Sequence, residues 1–185
     1  MFASVPDRRV QRTRRHLREA LVTLILERGW DAVSVRDVCE KADVGRSTFY
    51  VHFADKENLL LSGFDDLHAQ MDDIRNGAAG PFGFIEPLVI HAAEHKDLLQ
   101  AMLGRQSGQQ MQWRFRDVLR SLVEGELQAL KTPRSARVSA ARFIAGGISE
   151  LLMEWLDQPR GLSSQKIACE LQQHALAVAT ASRAP

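Results

Sequence analysis

The residues best equipped for chemistry gather in one short stretch, RSTFYVHF, Arg46 to Phe53. Phe49 and Phe53 stand at i and i+4, a spacing that turns both to one face of a helix. Arg46, Ser47, Thr48, Tyr50 and His52 are left on the outside. That set is rich in hydrogen-bond donors and holds no acid. A helix lying against a duplex needs this composition: donors for phosphate oxygens, short side chains for close approach, and arginine for guanine. Tyr50 is the only tyrosine in a chain with 8 phenylalanines, and an apolar core has no use for its hydroxyl. Lys56 follows where a next helix would begin, so that its ammonium and the free amides of a first turn could address one phosphate.

The elements that must position this stretch read clearly. Leu17, Ala20, Leu21, Leu24 and Ile25 recur at helical spacing within Arg8–Arg28, and Gly29 supplies a C-terminal stop. Trp30 and Val33 plug the base of the core. Ser34 is a good N-cap with Asp37 three residues on, and Val35, Val38 and Ala42 mark a buried side. Asp43-Val44-Gly45 is the turn: Asp tolerates left-handed backbone angles, and Gly45 is acceptable as the next N-cap. Asp55 caps a long helix to about Arg75, with Leu59, Leu60, Phe64, Leu67 and Met71 inward.

The rest of the chain is a run of helices. Asn76–Gly83 is a loop that does not end a domain. Ile85–Met102 forms one or two helices, with Pro87 tolerable only in a first turn. Gly104–Gly108 is a second loop. Met111–Leu130 carries Trp113, Phe115, Val118, Leu119, Leu122 and Leu127. Ser135–Leu156 and Ser163–Ala181 follow, separated by Pro159-Arg160-Gly161. No strand, repeat or low-complexity tract is evident. The expected fold is all-α with about nine helices: an N-terminal three-helix helix-turn-helix DNA-binding domain over residues 8–60 (helix-turn-helix 34–53), joined to a helical ligand-binding and dimerisation domain over 61–185.

Bulk properties narrow the partners. The 185 residues are 45% hydrophobic and 25% charged, with net charge +1, a soluble globular balance. Charge is uneven: residues 1–18 hold six arginines against the single acid Asp7. Cations at a helix start oppose its dipole, so this arm, Arg14 included, is best rationalised by a bound anion such as phosphate. The alternative is a solvated helix start. Cys39 and Cys169 lie far apart and form no zinc or disulfide framework. The N-terminus has no signal-peptide core, and no run of about 18 apolar residues could span a membrane. A cytoplasmic protein is expected.

Other constellations carry less. His91 and His95 lie at i and i+4 with Glu94 between them, a spacing that can hold a metal. No third ligand is evident from sequence, and a pocket-lining or surface pair is the plainer reading, so no metal or other cofactor is expected. Phe64, His91, Met102, Met111, Trp113 and Phe115 could line an apolar ligand pocket or be plain core. GxSxG, P-loop and GxGxxG motifs are absent. Ser62, His68, Asp72 and Asp73 fall on the solvated face of a long helix, so enzymatic activity is not expected. In the last two helices, Ala140, Ala141, Ala145, Gly146 and Gly147 invite close approach of another helix. Ile144, Ile148, Leu151, Leu152, Trp155, Leu171, Ala175 and Val178 would then form a two-fold interface, unless the pair merely closes the chain's own core.

The DNA-facing stretch resembles a known family. The pattern A-x-V-x-[RK]-x-T-[LF]-Y-x-H-F-x-x-K-E-x-L stands here as Ala42, Val44, Arg46, Thr48, Phe49, Tyr50, His52, Phe53, Lys56, Glu57 and Leu59. It is similar to the signature of tetracycline-repressor (TetR/AcrR) transcriptional regulators of bacteria, over roughly residues 10–65. Asp43 replaces the usual turn glycine, and Gly45 the usual capping serine, which removes a hydroxyl that often touches phosphate. The resemblance implies a homodimeric repressor on a near-palindromic operator, released by a small hydrophobic effector. It implies DNA contacts from Arg46, Ser47, Thr48, Tyr50, His52 and Lys56, with Ser34, Val35 and Arg36 approaching the backbone.

Overall fold

The computed structural model describes residues 8–78, 80–103, 109–157 and 162–183. These residues form nine helices and no strand: α1 (Arg8–Arg28), α2 (Val35–Ala42), α3 (Arg46–His52), α4 (Lys56–Gly77), α5 (Ile85–Glu94), α6 (Lys96–Leu103), α7 (Gln109–Ala129), α8 (Arg134–Asp157) and α9 (Ser164–Ala181). The chain divides into two compact units, the first ending at Gly63 and the second starting at Phe64, within α4. The expected loops Gly104–Gly108 and Pro159–Gly161 lie outside the described residues.

In the first unit α1 packs on α2, and α2 on α3. Its core draws Leu17, Leu21, Leu24 and Ile25 from α1, Val33 from the loop and Val38 from α2. Phe49 and Phe53 come from the α3 stretch, and Leu59 and Leu60 from α4. Gly29 ends α1 at φ 80°, a left-handed value that costs glycine nothing. Cys39, unassigned by the sequence pattern, is buried there too, and burial pushes its thiol up, with Arg46 opposing. Val35 and Ala42 are only half-buried.

α2 is held by its N-terminus. The Ser34 hydroxyl accepts from the Asp37 amide at 3.2 Å, while the Asp37 carboxylate accepts from the Ser34 amide at 2.8 Å and from its hydroxyl. This reciprocal box satisfies two amides that a helix start leaves orphaned.

In the second unit α7 and α8 pack along their length, α9 lies on α5 and α8, and α6 sits against α7 and α8. Phe115, Leu119, Leu122, Val123 and Leu127 of α7 are buried, as are Ile144, Ile148 and Leu152 of α8. The Arg75 side chain crosses α7 at Gly125, where a Cβ would stand 2.7 Å from its guanidinium, while Asp72 holds its other side at 2.7 Å.

Three expectations are corrected here. Asn76–Gly83 is not a bare loop: α4 continues to Gly77, and Phe82 and Phe84 are fully buried anchors. Phe82 takes a left-handed φ of 58°, and its amide donates at 3.0 Å to the buried Glu126 carboxylate. Neither that conformation nor the buried acid follows a periodicity rule. Ser62 is buried, not solvated, because its hydroxyl donates to Leu59 O at 2.6 Å and needs no water. Trp113 is 62% exposed, so it does not face the core. Ile85–Met102 resolves into two helices, with Pro87 in the first turn of α5.

Ser34→Ala is expected to lower the stability of the folded chain by about 1 kcal/mol, the usual worth of an N-cap, measured by urea unfolding at neutral pH. The Ser34 hydroxyl, then its amide, hold the Asp37 carboxyl below its ordinary 3.8. A depressed carboxyl contributes stability that is complete above the ordinary value and is lost as pH falls through the folded value. Asp37's contribution therefore disappears in acid, and Ser34→Ala should narrow its gap to wild type there.

Candidate nucleic-acid interface

The outward face of α3 is presented by a short, well-defined turn. Asp43 adopts a left-handed conformation (φ 53°, ψ 47°), and its amide closes α2 onto Cys39 O and Glu40 O. The Val44 amide donates to Cys39 O at 3.0 Å. Asp at this position is among the few non-glycine residues that accept such angles readily. Gly45 is the N-cap of α3, in extended conformation and with no side-chain cap.

Phe49 is completely buried, and its ring lies 6.0 Å from that of Phe53, centroid to centroid. Anchoring these two turns the other side of α3 outward. Arg46, Ser47, Thr48 and Tyr50 are exposed, and His52 is half-buried beside Phe53. Tyr50 meets the edge of Phe49 at 5.4 Å while staying 58% exposed. Val51, 78% exposed, was missed by the donor-based reading. The Phe49/Phe53 spacing contained the signal, because the residue midway between two inward anchors must point out.

The flanking residues have partners of their own. The Arg14 guanidinium lies 5.1 Å from the Phe53 ring centroid. Arg36 is paired with Glu40 at 2.6 Å, and Lys41 with Glu27 of α1 at 2.7 Å. Arg36 and Arg46 share a shallow concave surface with Glu40, Asp43 and Gly45, so two acids, one on α2 and one in the turn, stand beside the acid-free face.

Lys56 differs from expectation. Its ammonium donates to Trp30 O at 2.9 Å and Val33 O at 2.6 Å, and lies 4.3 Å from the Trp30 ring centroid. Two of its three N–H groups therefore tie the α1–α2 loop to the start of α4, a scaffold role that the sequence pattern did not show. The loop carbonyls, invisible to side-chain patterning, compete for it.

The other expected sites separate. Phe64, Met111 and Phe115 are buried, with the Phe64 and Phe115 rings 6.3 Å apart. Exposed Trp113 does not join them, and the Met102 side chain lies outside the described ones. His91 is half-buried on α5, and its imidazole is pushed down by burial first and by His95 next. In the helix pair α8–α9, Leu152 is fully buried in the protomer's own core, while Trp155 is half-buried and donates its indole N–H to Leu162 O at 2.9 Å. Ile144, Ile148, Leu171 and Ala175, also buried, form a groove floor with half-buried Leu151 and Val178 beside Phe143, which is 71% exposed. No described helix is long and apolar enough to cross a membrane.

A short aromatic-anchored helix, presented across a tight turn with a donor-rich face outward, defines a helix-turn-helix DNA-binding protein. The description "Bacterial regulatory proteins, tetR family" matches residues 17–62, and "Transcriptional regulator C-terminal region" matches 81–175, more than half of the chain. The chain belongs to the TetR family of transcriptional regulators, whose members bind DNA operators and act as dimers. It is 35% identical over 89 residues to the HTH-type transcriptional repressor KstR2 of Mycobacterium tuberculosis, which is 46% of this chain and 44% of that protein. The chain covers less than half the length of the curated relatives it matches. A TetR regulator from Streptococcus agalactiae superposes with TM-score 0.66 at 25% identity, over 96% of this chain and 99% of that one. Thermus thermophilus FadR, a repressor solved with lauroyl-CoA, shares the fold with TM-score 0.65 at 20% identity, over 93% and 95% of the two chains.

Replacing Lys56 by Met should destabilise the chain by about 2 kcal/mol without DNA, because two backbone carbonyls lose a charged donor. Urea unfolding measures it. A residue serving phosphate alone would leave the midpoint unmoved.

Proposed function

We propose that this chain is a repressor that binds a near-palindromic operator as a homodimer and leaves it when a small apolar effector binds. The observation that carries the reading is the outward face of α3, which is exposed, rich in donors and free of acids, with the helix fixed from behind by Phe49. On this reading Arg46 reads a guanine edge, while Ser47, Thr48, Tyr50 and His52 bond phosphates and neighbouring bases. Ser34, Val35 and Arg36 approach the backbone from the start of α2. The Arg36–Glu40 pair is exposed, and solvent screens such pairs strongly, so Arg36 exchanges it for phosphate at little cost. Arg14 reaches the backbone from its perch on Phe53. Val51 adds an apolar contact suited to a thymine methyl.

The second copy docks on the α8–α9 face. Phe143 stands largely in solvent beside the groove, and a Cβ added at Gly146 or Gly147 would meet nothing within 4 Å. Glycine in a helix interior costs about 1 kcal/mol against alanine, and among the described residues no neighbour explains two in succession. Close approach of a symmetry-related α8 does. Two reading helices about 34–36 Å apart then enter successive major grooves. An effector in the second unit, near Phe64, Met111 and Phe115, favours another separation and weakens binding by its differential affinity.

A gel shift on the DNA upstream of the chain's own coding sequence tests this. Binding should weaken steeply with salt, as several phosphate contacts demand; no shift at low salt would sink the reading. Tyr50→Phe should weaken all sequences alike. Arg46→Ala and Val51→Ala should each relax preference at one base position, by about 1–3 kcal/mol for Arg46. Sedimentation tests the second copy: Phe143→Asp should yield a folded monomer with at least tenfold weaker operator binding, and an unchanged dimer would exclude the α8–α9 interface.

A further inference from the structure

We propose that His91, Glu94 and His95 form a binding site for one divalent transition-metal cation at the corner where α5 ends and α6 begins. One ligand atom from each of the three side chains lies within 4.8 Å of the other two. Ligands held about 2.0–2.1 Å from zinc in a tetrahedron are about 3.3 Å apart. Small side-chain rotations close the difference, and Glu94 and His95 are exposed and free to make them.

The sequence spacing alone supplied two ligands; the fold supplies the third and the frame. His95 is the C-cap of α5 and has left helical geometry (φ −113°, ψ 27°), while its amide still donates to His91 O at 3.1 Å. The two imidazoles are thereby tethered through the backbone, with ring centroids 4.5 Å apart and planes inclined at 55°. The rings are tilted and not stacked in parallel, and one ligand atom of each lies within 4.8 Å of the other. Behind His91 the helix is anchored by Leu88, Val89 and Ala92, all essentially buried, so one ligand stands on a rigid base. Among the described residues Glu94 makes no ion pair, which leaves its carboxylate available.

Two imidazoles and one carboxylate suit zinc, nickel, copper or cobalt better than calcium or magnesium, which prefer oxygen alone. Three protein ligands leave at least one coordination position for water or a small anion. Among the described residues no other trio of His, Cys, Asp or Glu converges in this way, so the expected stoichiometry is one cation per chain.

The test uses the full chain without a histidine tag and without DNA, so it is independent of the operator reading. Zinc titrated by calorimetry should saturate at one per chain, and cobalt should give visible d–d absorption with the same stoichiometry. His95→Ala should weaken zinc at least tenfold and Glu94→Gln several-fold, while Cys169→Ser, the other exposed soft donor, should leave it unchanged. Both ligand positions are exposed, and circular dichroism should show unchanged helix content in both variants. Zinc should also raise the melting temperature of wild type and not that of His95→Ala. Non-saturable binding by wild type, equal binding by His95→Ala, or loss on Cys169→Ser would overturn the site.

Discussion

A helix of seven residues has too few internal hydrogen bonds to stand alone in water. α3 therefore exists because Phe49 and Phe53 bury their rings in the core of the first unit, where Phe49 keeps no exposed surface. Every later property of the reading face depends on that burial. With the two rings inward, Arg46, Ser47, Thr48, Tyr50 and Val51 have only solvent to face, and the side that could meet a duplex is defined without further instruction. The Phe53 ring serves twice, since Arg14 of α1 rests over it.

The supports around α3 are small and local. A reciprocal cap starts α2, a left-handed aspartate ends it, and an uncapped glycine starts α3. The aspartate and the glycine depart from the family's usual turn, and the geometry absorbs both: Asp43 takes the angles that a glycine would take, and Gly45 supplies the extended backbone without a hydroxyl. Lys56 then ties the loop before α2 to the start of α4 through Trp30 O and Val33 O. A residue whose place in the motif reads as a DNA contact thus also holds the scaffold of the reader. Substitution there confounds stability with binding unless both are measured.

The second unit shows the same division between a generic core and particular devices. Its α7–α8 packing is ordinary apolar burial. The departures are a phenylalanine in a left-handed conformation held by a buried glutamate, an arginine laid over a glycine, and two helix-interior glycines facing open space. The first two hold α4 and the α4–α5 segment against α7. The third stands on the face assigned here to a second copy.

The sequence by itself determined most of the helices, the Ser34 cap and most of the outward face of α3, because periodic burial, capping chemistry and turn residues act over three or four positions. Leu17 to Ile25, Ser34 with Asp37, and Phe49 with Phe53 are all interactions of that range. Tertiary structure decided what depends on partners far away in the chain. It buried Phe82 against Glu126, 44 positions on, and gave the Lys56 ammonium to carbonyls 23 and 26 positions back. It turned Trp113 outward from a helix whose pattern favoured the core, and withdrew Leu152 into the protomer's interior. It also ended α5 at His95, so that Glu94 joined two histidines already legible as a pair. Long-range pairing of this kind leaves no period in the sequence: which carbonyl, ring or carboxylate meets a side chain is set by the packing of whole helices, not by spacing along one.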